Sequence, residues 1–127
     1  MTLLECLDQF CFKKYPVEQG TFLMQEGEFP NQVYVMVSGT VKVTTGNVVI
    51  GQFNRPGDTY GEMAVILEEK ASATVECLTP CEVYIIQDLE TFLTKNPTQC
   101  INMLKLSYRR LKQMNKGVNI MYDHLNI

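Results

Sequence analysis

Pro56-Gly57-Asp58-Thr59-Tyr60-Gly61-Glu62-Met63-Ala64-Val65 joins a Pro-Gly-Asp turn signal to the first turn of a short apolar helix. The start of a helix presents backbone N–H groups that have no partner within the helix. It also carries the positive pole of the helix dipole, and together these attract a phosphate. Gly61 has no side chain to keep a ligand away from the backbone. Glu62 adds an acceptor-only carboxylate, which suits a sugar hydroxyl. A phosphate donor beside a hydroxyl acceptor points to a phosphorylated ribose. An ordinary loop-to-helix turn with a dipole-favoured acid is the plainer alternative.

The residues around this stretch extend the pattern. Tyr60-Gly61-Glu62-Met63-Ala64-Val65-Ile66-Leu67-Glu68-Glu69-Lys70-Ala71-Ser72-Ala73-Thr74-Val75 resembles the phosphate-binding cassette of the cyclic nucleotide-binding domain family. That cassette reads roughly Phe-Gly-Glu-Leu-Ala-Leu, a few loop residues, then Pro-Arg-Ala-Ala-Thr-Val, and the two align without a gap. Upstream, Pro16-Val17-Glu18-Gln19-Gly20 and Gln25-Glu26-Gly27-Glu28 are similar to the family's early turns, and Val33 to Val43 to its central hairpin. Pro80-Cys81-Glu82-Val83-Tyr84-Ile85-Ile86 is similar to its last strand, so the resemblance runs from about residue 10 to residue 125.

The resemblance implies a mainly β fold with flanking helices: a double-stranded β-helix (jelly-roll) barrel with a short N-terminal and a long C-terminal helix. One domain is expected over 1–127, with the barrel at 10–88 and the C-terminal helices at 88–125. It also implies a regulatory module rather than an enzyme, with a cyclic nucleotide as ligand, cyclic AMP before cyclic GMP. By the same resemblance Glu62 takes the ribose, Gly61 lets the backbone approach, and Met63 and Ala64 offer amides to the phosphate. Ser72 has a hydroxyl within reach of that phosphate, and Ala73 leaves room for the ligand. Met114 or Asn115 lies where the long helix would cover the base, and the Asn115 amide can meet a purine edge with both its ends.

One departure bears on affinity. The family's phosphate-binding Arg falls at Ala71, and the Pro before it at Lys70. A guanidinium holds a cyclic phosphate with two parallel charge-assisted hydrogen bonds. A hydrogen bond to a charged group contributes about 1.5–3 kcal/mol, so its loss weakens binding about 10- to 100-fold. Lys70 compensates in part only if its side chain turns inward, and side chains alternate faces once the strand begins. A second reading follows: a degenerate domain that binds no nucleotide and serves as a dimerisation or interaction scaffold. A sensor for another small ligand in the same pocket is a narrower third.

The bulk numbers set outer limits. A chain of 127 residues with 46% hydrophobic residues can bury a core of its own. A net charge of -3 speaks against general nucleic-acid binding. Relatives often carry a DNA-reading helix-turn-helix after this point; the sequence stops at Ile127, so no nucleic acid is expected to bind this chain alone. No run of 18 apolar residues offers a membrane span. The five cysteines (Cys6, Cys11, Cys77, Cys81, Cys100) are odd in number, and a reduced cytoplasm is the expected setting. Their spacings fit no tight metal knuckle, and the single His is His124; buried, inert thiols are expected and no metal. With one His, no nucleophile–base pair can be assembled, and Glu68-Glu69 reads as a solvated loop pair.

Along the chain, Leu3 to Phe10 reads as an amphipathic helix. Short β-type runs follow at 12–15, 21–25, 33–38, 40–45, 48–53, 73–77 and 83–87, punctuated by Gly and Pro. Apolar residues on both faces of Val33–Val37 predict a strand covered on both sides, whereas Lys42 between Val41 and Val43 predicts one wet face. Asp88 is expected to cap a helix at 89–95, and Thr98 to cap a long one reaching about Leu125. Leu104, Ser107, Leu111, Met114, Val118, Met121 and Leu125 form an a/d seam, read as a homodimer contact against the alternative of packing on the chain's own barrel. Lys105, Arg109, Lys112 and Lys116 form a basic stripe, expected to be a solvated face.

Overall fold

The computed structural model describes residues 1–115. The elements run α1 (Leu3–Gln9), β1 (Lys14–Val17), β2 (Phe22–Met24), β3 (Val33–Ser38), β4 (Val41–Thr45), β5 (Val48–Phe53), β6 (Thr59–Tyr60), α2 (Glu62–Leu67), β7 (Thr74–Cys77), β8 (Cys81–Ile86), α3 (Leu89–Lys95) and α4 (Pro97–Asn115). Two antiparallel four-stranded sheets, ordered β1-β8-β3-β6 and β2-β7-β4-β5, make a jelly roll.

The alternation in the sequence explains which faces are covered. Met36, Val83, Tyr60 and Cys81 of the first sheet face Leu23, Val41, Val43, Val75 and Cys77 of the second across an apolar interior. The outer side of the first sheet presents Val33, Val35, Tyr84 and Ile86 to a second core built with Leu3, Cys6 and Leu7 of α1, Leu89 and Phe92 of α3, and Met103 of α4. Strand β3 is thus covered on both sides, as its unbroken apolar run predicts, and β8 likewise. The second sheet has a wet outer face, where Lys42 sits opposite Glu76 at 3.4 Å, as the Val41-Lys42-Val43 pattern predicts.

Asp88 caps α3 as expected: its carboxylate accepts from the Thr91 N–H and hydroxyl, which holds the acid below its ordinary pKa. Thr98 does not cap α4. That helix begins one residue earlier with Pro97 at its first position, where the missing N–H costs nothing, and the Gln99 N–H bonds the Asn96 carbonyl. Strand β6 lies outside the β runs read from the sequence; two residues are too short to show a period. The seam reading needs correcting at its start: Leu104 is exposed, and the residues of α4 that turn inward are Gln99, Met103, Ser107 and Arg110. Met114 has no described side chain, and Val118, Met121 and Leu125 lie outside the described residues. Lys105, Arg109 and Lys112 are exposed, as a solvated stripe should be, and Lys116 lies outside the described residues. Cys6, Cys77 and Cys81 are buried, but Cys11, which follows α1 in a left-handed conformation, and Cys100 on α4 are exposed. Among the described residues no helix is long and apolar enough to cross a membrane.

Gly39, between β3 and β4, is the tightest glycine among the described residues. Its φ of 104° belongs to the region that side chains avoid, and an added Cβ would strike the Cys81 Sγ and lie 2.9 Å from the Cys81 Cα. Gly39→Ala is expected to destabilise the fold by about 2 kcal/mol or more. A urea-denaturation midpoint equal to that of the wild type would contradict this packing.

Candidate functional site

The cassette is placed by three short constraints. Strand β6 pairs with β3, Thr59 opposite Val35 and Tyr60 opposite Tyr34. Gly61 then turns the chain at φ 96°, a conformation open to glycine; a Cβ there would press to 3.1 Å on the Gln32 carbonyl. Helix α2 follows and ends at Glu68, itself left-handed at φ 54°. Beyond it Ala71 is tied to the early turn from both sides: its N–H donates to the Glu28 carbonyl at 2.8 Å, and its carbonyl accepts from the Gly27 N–H at 2.9 Å. The glycine-bearing turns read from the sequence therefore position the cassette.

These elements enclose a cavity of about 180 Å³. Gly61, Glu62, Met63, Ala64, Lys70, Ala71, Ser72 and Ala73 all line it, so eight of the nine residues expected at the site share one pocket. Asn115 closes α4, and its side chain lies outside the described residues. Ala71 is buried in the wall. Lys70 and Ser72 are exposed at the rim, and Ala73 packs partly into the core between the sheets.

The side chain that the sequence reading missed is Arg110. It reaches from α4 into the pocket wall and runs over the Tyr60 ring, 4.4 Å from its centroid. Its Nη1 lies 3.7 Å from the Glu62 Oε1, and its Nη2 donates to the Thr59 carbonyl. The Ser107 hydroxyl, one turn earlier, donates to the same Glu62 oxygen at 3.2 Å. Glu62 is only 4% exposed, so the two α4 side chains answer a carboxylate that has left water. One signal could have revealed Arg110. Gln99, Met103, Ser107 and Arg110 recur at steps of four, four and three, which puts them on one helix face, and a cassette without its guanidinium invites a search for another.

The ion network is incomplete. Among the described residues the Thr59 Oγ1, Tyr60 hydroxyl, Glu62 Oε2 and Arg110 Nε are all buried and have no hydrogen-bond partner. Three of these residues, Tyr60, Glu62 and Arg110, line the pocket, an unusual concentration because most buried polar atoms are satisfied. Burial pushes the Tyr60 phenol well above its ordinary range, so it stays protonated and able to donate. Burial likewise raises the Asp58 carboxyl, and the nearby Arg110 and Arg55 guanidinium groups pull it partway back.

The sequence profile of the cyclic nucleotide-binding domain matches residues 15–96, well over half of the chain. The chain belongs to the cyclic nucleotide-binding domain family. It is a regulatory domain and not a catalytic one. It is 27% identical over 119 residues to the anaerobic regulatory protein of Haemophilus influenzae, covering 87% of this chain and 46% of that protein. It is 31% identical over 106 residues to the cGMP-dependent 3',5'-cGMP phosphodiesterase A of Dictyostelium discoideum, covering 79% of this chain and 11% of that protein. The chain thus spans less than half the length of the curated relatives it matches. Among solved structures, a cyclic nucleotide-binding domain from Methylobacillus flagellatus KT superposes with a TM-score of 0.76 at 19% identity, covering 92% of this chain and 72% of that one.

The direction of the Asp58 shift has a pH signature. A carboxyl raised in the folded state contributes stability that is full in acid and is lost as pH rises through its folded value. Asp58→Asn is therefore expected to gain stability relative to the wild type as the pH is taken from about 4 to about 7. Thermal melts of the two proteins measure this, and a difference that stays flat across the range refutes it.

Proposed function

We propose that this domain senses a cyclic nucleotide, cyclic AMP before cyclic GMP, and passes its occupancy to the packing of α4. The observation that carries the reading is the position of Glu62. It is the acid expected to take a ribose hydroxyl, and it is also the point where α4 is fastened to the cassette, through Ser107 and Arg110. A ribose on that carboxylate replaces the Ser107 and Arg110 contacts there, so the helix is held differently when the pocket is filled. In this reading Gly61, Met63 and Ala64 receive the phosphate, Ala71, Ser72 and Ala73 border it, Lys70 stands at the rim, and Asn115 meets the base.

Two observations favour the scaffold reading instead. The cavity of about 180 Å³ is small beside ordinary ligand clefts of about 300–1,000 Å³, and Ala71 carries no charge. Sensing therefore requires Arg110 to move as the ligand enters. Calorimetric titration of the 127-residue chain with cyclic AMP and cyclic GMP separates the two. Sensing predicts saturable heat with a micromolar Kd for at least one nucleotide. It also predicts a loss of about tenfold or more in Glu62→Ala, since a hydrogen bond to a charged acceptor contributes about 1.5–3 kcal/mol. Silence at millimolar nucleotide refutes sensing and leaves the scaffold.

We also propose a homodimer through α4, in a cytoplasmic setting. Ile101, Leu104 and Tyr108 stand exposed along one side of that helix at steps of three and four, an apolar stripe of the kind that covers itself with a second copy. Light scattering should give twice the chain mass for the wild type and one chain mass for Leu104→Glu with Tyr108→Glu. An unchanged mass in the double variant refutes this interface.

A further inference from the structure

We infer that Arg110 is the cation that holds the ligand's phosphate, supplied from α4 in place of the guanidinium missing at Ala71. The inference deepens the sensing reading and rests on it. Arg110 and Ala71 line the same pocket from opposite elements, α4 and the strand-entry loop. The Arg110 side chain is mostly buried, and its attachment to Glu62 is loose. The Nη1 to Oε1 separation of 3.7 Å exceeds hydrogen-bond distance, and the two groups are joined by no hydrogen bond. The Arg110 Nε and the Glu62 Oε2 each lack any partner among the described residues. A guanidinium has five donors in a planar fork suited to a phosphate, so a free Nε beside Nη1 is an unused edge of that fork.

Charge balance points the same way. Glu62 and Glu69 line the pocket, and the other cation there, Lys70, sits exposed at the rim. Without Arg110 the wall would present two acids and one solvated ammonium to an anion. With Arg110 turned from Glu62 toward the phosphate, its donors meet an anion and the Glu62 carboxylate is released for a sugar hydroxyl. One rotation of one side chain thus opens both ligand contacts. The Tyr60 hydroxyl, also buried beside them without a partner, stands ready as a further donor.

Calorimetry with cyclic AMP and cyclic GMP on four forms of the 127-residue chain tests this: wild type, Arg110→Gln, Ala71→Arg, and the double variant. Arg110→Gln is expected to bind about tenfold or more weaker. The double variant, which restores a guanidinium from the cassette side, is expected to recover most of that loss. If the wild type binds and Arg110→Gln binds equally well or better, Arg110 is not the phosphate's cation, and sensing itself stands. If Arg110→Gln weakens and the double variant does not recover, the arginine acts by holding α4, and the inference also fails. If the wild type binds neither nucleotide, the sensing reading fails and takes this inference with it. Should Arg110→Gln fold poorly, the assigned Nε–H resonance of Arg110 in the wild type replaces it. A shift on adding cyclic nucleotide supports the contact, and an unmoved resonance at saturation overturns it.

Discussion

A carboxylate that is only 4% exposed has given up most of its hydration, and something must replace the lost water. At Glu62 the replacement comes from α4: the Ser107 hydroxyl, and the positive field of Arg110. Neither partner belongs to the cassette. The acid is held in place by β6 and Gly61, while its compensation is delivered by a helix about 45 residues further along the chain. The orientation of α4 is thereby tied to one buried carboxylate. Gln99 and Met103 are buried on the same face, so the turn of the helix that seats Met103 in the apolar core also aims Arg110 at Glu62. Packing and electrostatics select one rotation of α4 about its axis.

Buried pairs of this kind contribute little net stability, since desolvation consumes most of the attraction, but removing one partner is costly. The pair at Glu62 is more open to exchange than a bidentate one. It has one long contact, and two of its polar atoms have no partner among the described residues. A well-satisfied ion pair resists a competing ligand. A half-satisfied one gives a competitor with better geometry an enthalpic advantage. In the sensing reading the orphaned atoms are where a ligand would gain contacts, and the small cavity is one that Arg110 partly fills.

Much of this was legible in the sequence, because the signals were local. The alternation in Val33–Val37 and Val41–Val43 correctly assigned the two-sided and one-sided strands, and Gly61-Glu62 marked the start of α2. Asp88 was a readable cap because capping depends on four consecutive residues, Asp88 to Thr91. The misses share a cause. Strand β6 is only two residues long and is held by pairing with β3, a contact far away in the chain. The a/d pattern from Leu104 was real as a pattern, yet its period cannot say which stripe of an amphipathic helix faces the barrel; that depends on where Met103 and Phe92 meet. Arg110 was hidden behind the exposed basic residues next to it, since Arg109 and Arg110 differ only by the 100° turn between neighbours on a helix.

The place from which a cation is supplied changes what a binding site can do. A guanidinium at position 71 would be fixed to the jelly roll by the backbone bonds to Gly27 and Glu28, and would meet an anion equally well wherever α4 lay. A ligand that binds two conformations equally shifts neither. A guanidinium on α4 ties anion affinity to the position of the helix, because the charge is present only when the helix is docked. By linkage, the anion must then favour the docked helix by the same factor that docking favours the anion. Under the proposed role for Arg110, having Ala rather than Arg at position 71 does not only weaken the site. It transfers the affinity that remains from the rigid part of the fold to the element that moves.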